Sequence, residues 1–226
     1  MVSRWLWITA IQRDWPLQVL SEAISAVPLE LARWFFDHGP PELTISLDGA
    51  AAHGDLEFIR WAHGQGAVAS TDAMDNAATN NALPILRRFH ANRGEGCTTE
   101  AMNGAAGGGF VDVLDWLWNN RPAVGCTGRA VILAARGGHL RALECLMTRY
   151  PHFYTAAAFD HAAGAGHLLL LQWLTSRSSA STNAMDWAAA GGRLDVVIWL
   201  HENRPEGCTL DAMDSAAANG HLHVVI

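Results

Sequence analysis

Excess positive charge is the first thing this sequence lacks. Its formal net charge is −7, from 22 acidic and 15 basic residues. No basic stripe could neutralise a row of phosphates, so a nucleic-acid binder held by backbone charge is excluded. Long hydrophobic runs are missing too, since no stretch approaches the roughly 18 uninterrupted apolar residues of a membrane span. The opening segment MVSRWLWITAIQRDW offers only the run Trp5 to Ile11, short for a secretory signal and without a small-residue cleavage site. These absences predict an intracellular, cytoplasmic protein with no membrane contact. Cysteine is sparse, at 4, and the chain holds neither a Cys-x-x-Cys nor a His-x-x-x-His pair. No metal, cofactor or disulfide is therefore expected. What the sequence does have is alanine and glycine, 21 of the latter, within an apolar half. That composition favours helices packed closely on small side chains over one large core.

The small residues recur in phase. Ala-Ala pairs begin at Ala50, Ala77, Ala105, Ala134, Ala162, Ala188 and Ala216, a period of about 28 residues. Counting from the first alanine of each pair, offset 4 is glycine in every copy except for Asn81, and offset 6 is Leu or Val. Offset 11 is tryptophan four times (Trp61, Trp116, Trp173, Trp199), with Arg88 and Cys145 as exceptions. Each copy predicts two short helices. The first starts after a Thr, Asp or Asn able to cap its free N–H groups and carries the alanine pair. The second carries an apolar stripe at offsets 6, 9 and 12, and stops before the prolines Pro122, Pro151 and Pro205. Helices of about 10 residues are marginal alone in water, so neighbouring copies must supply the stability, as in an elongated solenoid. Residues 1–22 are expected to form an atypical cap. Residues 23–226 are expected to form the repeat domain: a degenerate unit at 23–43, six fuller units over 44–211 and a truncated unit at 212–226.

In AAGAGHLLLLQWL (Ala162 to Leu174) and AARGGHLRALECL (Ala134 to Leu146) the pattern becomes specific. These segments resemble the Ala-Ala-x-x-Gly-His-Leu core of ankyrin repeats. The likeness implies an all-α helical solenoid and a role in binding other proteins. An ankyrin repeat is about 33 residues long, whereas these are shorter by about five. The deficit falls in the connector that would form a β-hairpin, which predicts short turns with little or no strand.

Most titratable residues fit the frame. His139, His167 and His221 share offset 5, where a histidine can bond the preceding turn. His63, His90 and His201 share offset 13, and Arg93, Arg121 and Arg204 share offset 16, suited to helix-end carbonyls. Cys145, in a tryptophan slot, is expected in the core. Asp48, Asp75, Asp160, Asp186 and Asp214 fall two before the alanine pair, with Asn103 in the same slot. Two roles fit this row: offsetting the positive helix end and bonding to the neighbouring unit, or drawing in a basic partner segment.

No nucleophile, base and orienting group converge, so no catalytic residue is predicted. The most variable slot, offset −1, and the turn positions at offsets 2 and 3 are where a fixed scaffold can write specificity. Candidate partner-binding residues are therefore Asn76, His161, Trp187 and Ser215, with Thr79, Arg136 and Asn219, and from the acidic row Asp75, Asp160 and Asp186. Trp187 fits either an interface anchor or packing between first helices. The function expected is a non-enzymatic protein interaction scaffold with a shallow concave surface. The alternative is a targeting or regulatory repeat segment of a larger protein whose catalytic part lies outside this chain. The short last copy also predicts that Leu222, Val225 and Ile226 are partly exposed.

Overall fold

The computed structural model describes residue 24 and residues 27–39, 42–153, 155–177 and 179–225. The proposed cap at 1–22, Ala23 and Ile226 lie outside the described residues. The chain divides into two compact units, Met1–Ala101 and Met102–Ile226.

Helices come in pairs. After α1 (Leu29–His38), the first unit holds α2 (Leu47–His53) with α3 (Leu56–Gly64), then α4 (Thr71–Thr79) with α5 (Leu83–Asn92). The division falls within α6 (Thr99–Gly107). The second unit continues with α7 (Val111–Asn120), α8 (Gly128–Arg136) with α9 (Leu140–Arg149), and α10 (Ala156–Ala165) with α11 (Leu168–Leu174). It ends with α12 (Thr182–Ala190) and α13 (Leu194–Asn203), then α14 (Leu210–Ala218) and α15 (Leu222–Val225). Within the first unit α2 packs on α4, and within the second α8, α10, α12 and α14 stack in order. Each unit is thus a stack of helix pairs in an all-α solenoid. Among the described residues the only β pairing is one isolated bridge, Ser46 with Val68, where a hairpin would otherwise stand. The shortened period leaves turns there, as the spacing implied.

The alanine pairs explain the stacking. Ala50, Ala51, Ala77, Ala78, Ala105, Ala106, Ala134, Ala135, Ala162 and Ala163 are all fully buried. A methyl side chain lets one helix sit close on the next, and every such position lies on the stacked face. Larger apolar groups from the second helices fill the remaining space, among them Leu86, Leu114, Leu143 and Leu171, with Phe159 of α10 equally buried. Cys145 departs from expectation. It is only half-buried, because Ala142, Leu143 and Leu146 form the inward stripe of α9 and turn the offset-11 position towards the helix flank.

Caps start the first helices. Ser70, Thr127, Ser181 and Thr209 each accept a bond from the backbone N–H two residues on, at 3.0–3.3 Å. Such caps stabilise a helix start by about 1 kcal/mol. At the last pair Leu222 is 65 % exposed and Val225 half-buried, since a four-residue α15 covers little of its neighbour.

Candidate functional site

The acidic row joins one repeat to the next. Asp160 accepts from the Ser181 N–H at 3.0 Å and from the Ser181 hydroxyl at 2.6 Å. Asp186 does the same for Thr209 at 2.8 and 2.9 Å. In the first unit Asp75 serves Thr98 at 2.9 and 2.5 Å, and Asp48 serves Ser70 at 2.9 and 3.0 Å. In each case the carboxylate accepts a hydrogen bond from the capping hydroxyl, so the hydroxyl oxygen keeps a lone pair for the helix N–H group. Asn103 reproduces the device without charge, its Oδ1 accepting from both Thr127 N–H and Thr127 hydroxyl. The device stops at Ile132, which holds the same slot, and Thr155 at the next helix start makes no side-chain cap bond.

Asp75, Asp160 and Asp186 are buried, with 8 %, 3 % and 6 % of their surface exposed. Burial pushes the Asp75 carboxyl above its usual range, against the lowering effect of the Thr98 bonds. Of the two roles open to this row, the geometry matches the bond to the neighbouring unit. The expectation of a basic partner rested on these carboxylates, and their oxygens face helix caps inside the stack.

A second link runs between turns. A methyl group built on Gly109 would lie 2.5 Å from the ring of His139 in the next repeat, and one on Gly138 would lie 2.7 Å from His167. His167 Nε2 lies 2.9 Å from the Arg136 carbonyl oxygen. The histidine therefore bonds the turn of the preceding repeat. Arg93 behaves likewise, with Nη1 donating to the Ala67 carbonyl of the previous connector at 3.0 Å while its guanidinium pairs with Glu95 at 2.8 Å. That pairing holds the Glu95 carboxyl below its usual range.

The remaining candidates divide. Asn76 donates to the Asp48 carbonyl at 3.0 Å and Asn219 to the Ala190 carbonyl at 2.9 Å, both bridging repeats. Thr79 is exposed and Ser215 half-buried. Arg136, His161 and Trp187 come together in the second unit. With Gly164, Ala165, His167 and Arg193 they line an open cleft of about 620 Å³. Trp187 keeps 39 % of its surface exposed, and its ring centroid lies 4.8 Å from that of His161. Its Cβ sits against Gly164, where an added methyl would be 2.9 Å away. Trp187 thus packs between first helices and also presents a face outward. Burial, and then the Arg136 guanidinium, pull His161 below the usual histidine range, opposed by the Asp160 carboxylate.

Two titratable residues of this cleft, His167 and Arg193, are not singled out by the repeat pattern. His167 was absorbed into the repeated histidine slot. Arg193 fills that slot in the next copy, and the replacement of histidine by arginine there was the signal.

A second cavity, also about 620 Å³, lies at the C-terminal end and is lined by groups such as Met185, Val197, Leu210, Met213 and Val224. Its lining is apolar apart from Cys208 and Thr209. Among the described residues no cluster of His, Cys, Asp and Glu could hold a metal ion, and no helix is long and apolar enough to cross a membrane. All four cysteines are free thiols, and burial pushes Cys126 up to about 11. Near neutral pH, iodoacetamide should therefore modify exposed Cys208 well before Cys126, as peptide mapping of a time course would show.

Residues 185–226 match the family model for ankyrin repeats (many copies). The comparison with curated proteins finds no match.

Proposed function

We propose, from the ankyrin-repeat match at residues 185–226 and the repeated frame upstream of it, that the chain is a non-enzymatic protein–protein interaction scaffold. Ankyrin repeats are in general protein-binding modules. The contact residues in this reading are side chains at offsets −1, 2 and 3, taken in each unit by itself: Asn76 and Thr79 in the first, and Arg136, His161, Trp187, Ser215 and Asn219 in the second. One observation carries it: the repeated residues are consumed by packing and capping, while Arg136, His161 and Trp187, at varying positions, line an open cleft. A rigid scaffold with variable exposed groups, tryptophan and arginine among them, suits partner recognition.

Photo-crosslinking tests this. A benzophenone amino acid placed at Trp187 or Asn219 should trap the same protein from native lysate. The same group at exposed Arg141 or Glu202, on second helices, should not. Equal trapping from all four positions, or none from the first two, overturns the assignment.

A further inference from the structure

The cleft in the second unit has a chemistry the sequence did not announce. Its lining offers two arginines, two histidines and a tryptophan, and no carboxylate. The chain as a whole carries −7, so this is local positive charge on an acidic protein. Every one of its 15 basic residues is arginine, for the sequence contains no lysine.

Neither guanidinium is spent. Among the described residues Arg136 and Arg193 form no ion pair and no side-chain hydrogen bond, and both are exposed. The Asp160 carboxylate beside His161 is turned inward to Ser181. Position is fixed by the repeat. Arg193 lies across the turn of the preceding copy, where a methyl on Gly166 would come within 2.8 Å of its Cδ. Arg136 ends α8, and its carbonyl is held by His167. Trp187 stands beside them, braced by His161 and Gly164.

We propose that this cleft binds a short acidic peptide segment of a partner protein, with Arg136 and Arg193 gripping its carboxylates and an apolar side chain laid on Trp187. The proposal rests on the interaction reading above and supplies the partner's chemistry. Guanidinium forks match carboxylates in geometry, and each can donate two parallel bonds. Tryptophan gives an apolar wall that lowers the local dielectric for those pairs. The acidic remainder of the surface sets the length. A long polyanion such as single-stranded nucleic acid would run onto like charge, whereas a short acidic segment need only meet the cleft.

Fluorescence anisotropy with the full chain provides the test. The probes are fluorescein-labelled hexapeptides EELEEL and KKLKKL and a labelled ten-nucleotide single-stranded DNA. EELEEL should bind best, and more weakly as salt rises. Reversing both charges, R136E with R193E, should weaken EELEEL at least about tenfold and turn the preference towards KKLKKL. Trp187→Ala should weaken EELEEL without that reversal. Arg141→Glu, an exposed charge change on α9, should leave binding as it was, and thermal melts of each variant verify folding. Equal binding of DNA and EELEEL, no binding of EELEEL, or an R136E/R193E protein that binds it unchanged would each overturn the proposal. A partner crosslinked at Trp187 by a segment without acidic residues would overturn this inference alone and leave the scaffold reading intact.

Discussion

Replacing Asp160 with alanine should destabilise the protein by about 3 kcal/mol and lower the thermal midpoint by roughly 6–12 °C. The two bonds to Ser181, at 3.0 and 2.6 Å, go to a buried carboxylate with 3 % of its surface exposed. Hydrogen bonds to charged acceptors contribute about 1.5–3 kcal/mol each, and a donor left unpaired adds the cost of its lost solvation. The loss also reaches α12, because the Ser181 hydroxyl caps that helix through the Asn183 N–H at 3.1 Å. Without its acceptor the hydroxyl proton competes for the same space. Asp160→Asn supplies the contrast. Asn103 does this work already two copies earlier, with one oxygen taking both bonds at 3.1 and 3.2 Å. The amide should therefore cost within about 1 kcal/mol. Denaturant titration of both variants decides, and an asparagine as damaging as alanine would show that charge, and not bond geometry, holds the repeats together.

Gly138→Ala should cost about 3 kcal/mol, against about 1–2 kcal/mol for Gly220→Ala. Both glycines are left-handed, at φ 74° and 76°, so the conformational cost is shared. They differ in what lies above them. An alanine methyl at Gly138 would come within 2.7 Å of the His167 ring, whereas at Gly220 it would meet nothing within 4 Å. The ring must move, and the bond from its Nε2 to the Arg136 carbonyl goes with it. The double variant Gly138→Ala with His167→Ala should accordingly be no less stable than Gly138→Ala alone. That non-additivity is the signature of contact across repeats. If Gly138→Ala and Gly220→Ala melt alike, the histidine is not seated on the turn.

How much of this was legible depends on how far apart in sequence the partners lie. The alanine pairs announced helix stacking because side-chain size alone dictates it. The connector length announced turns in place of strands. The role of Asp160 stayed open between two readings, for its partner Ser181 lies 21 residues away, and only the stacking of two copies brings them together. His167 was expected to bond a preceding turn, and that turn belongs to the repeat before it, at a separation of 31 residues. The cleft draws offset 2 of one copy, offset −1 of the next two and offset 5 of two copies into one place. No period along the chain displays that convergence. Arg136, His161 and Trp187 were reachable as variable slots, while His167 hid behind repetition and Arg193 behind its likeness to a histidine start.

The junction chemistry has a consequence for how such a chain can change over time. A donor pair on one repeat and an acceptor on the one before form the same joint at Asp48 with Ser70, Asp160 with Ser181 and Asp186 with Thr209. Any copy that carries this acceptor on its first helix can be followed by any copy that begins with this donor. Duplication or deletion of a whole repeat therefore leaves matched joints on both sides of the scar, and a new cleft can be shuffled in without redesigning its neighbours. The copy carrying Ile132 is the exception, and it marks the one described joint where such an exchange would not find its usual mate.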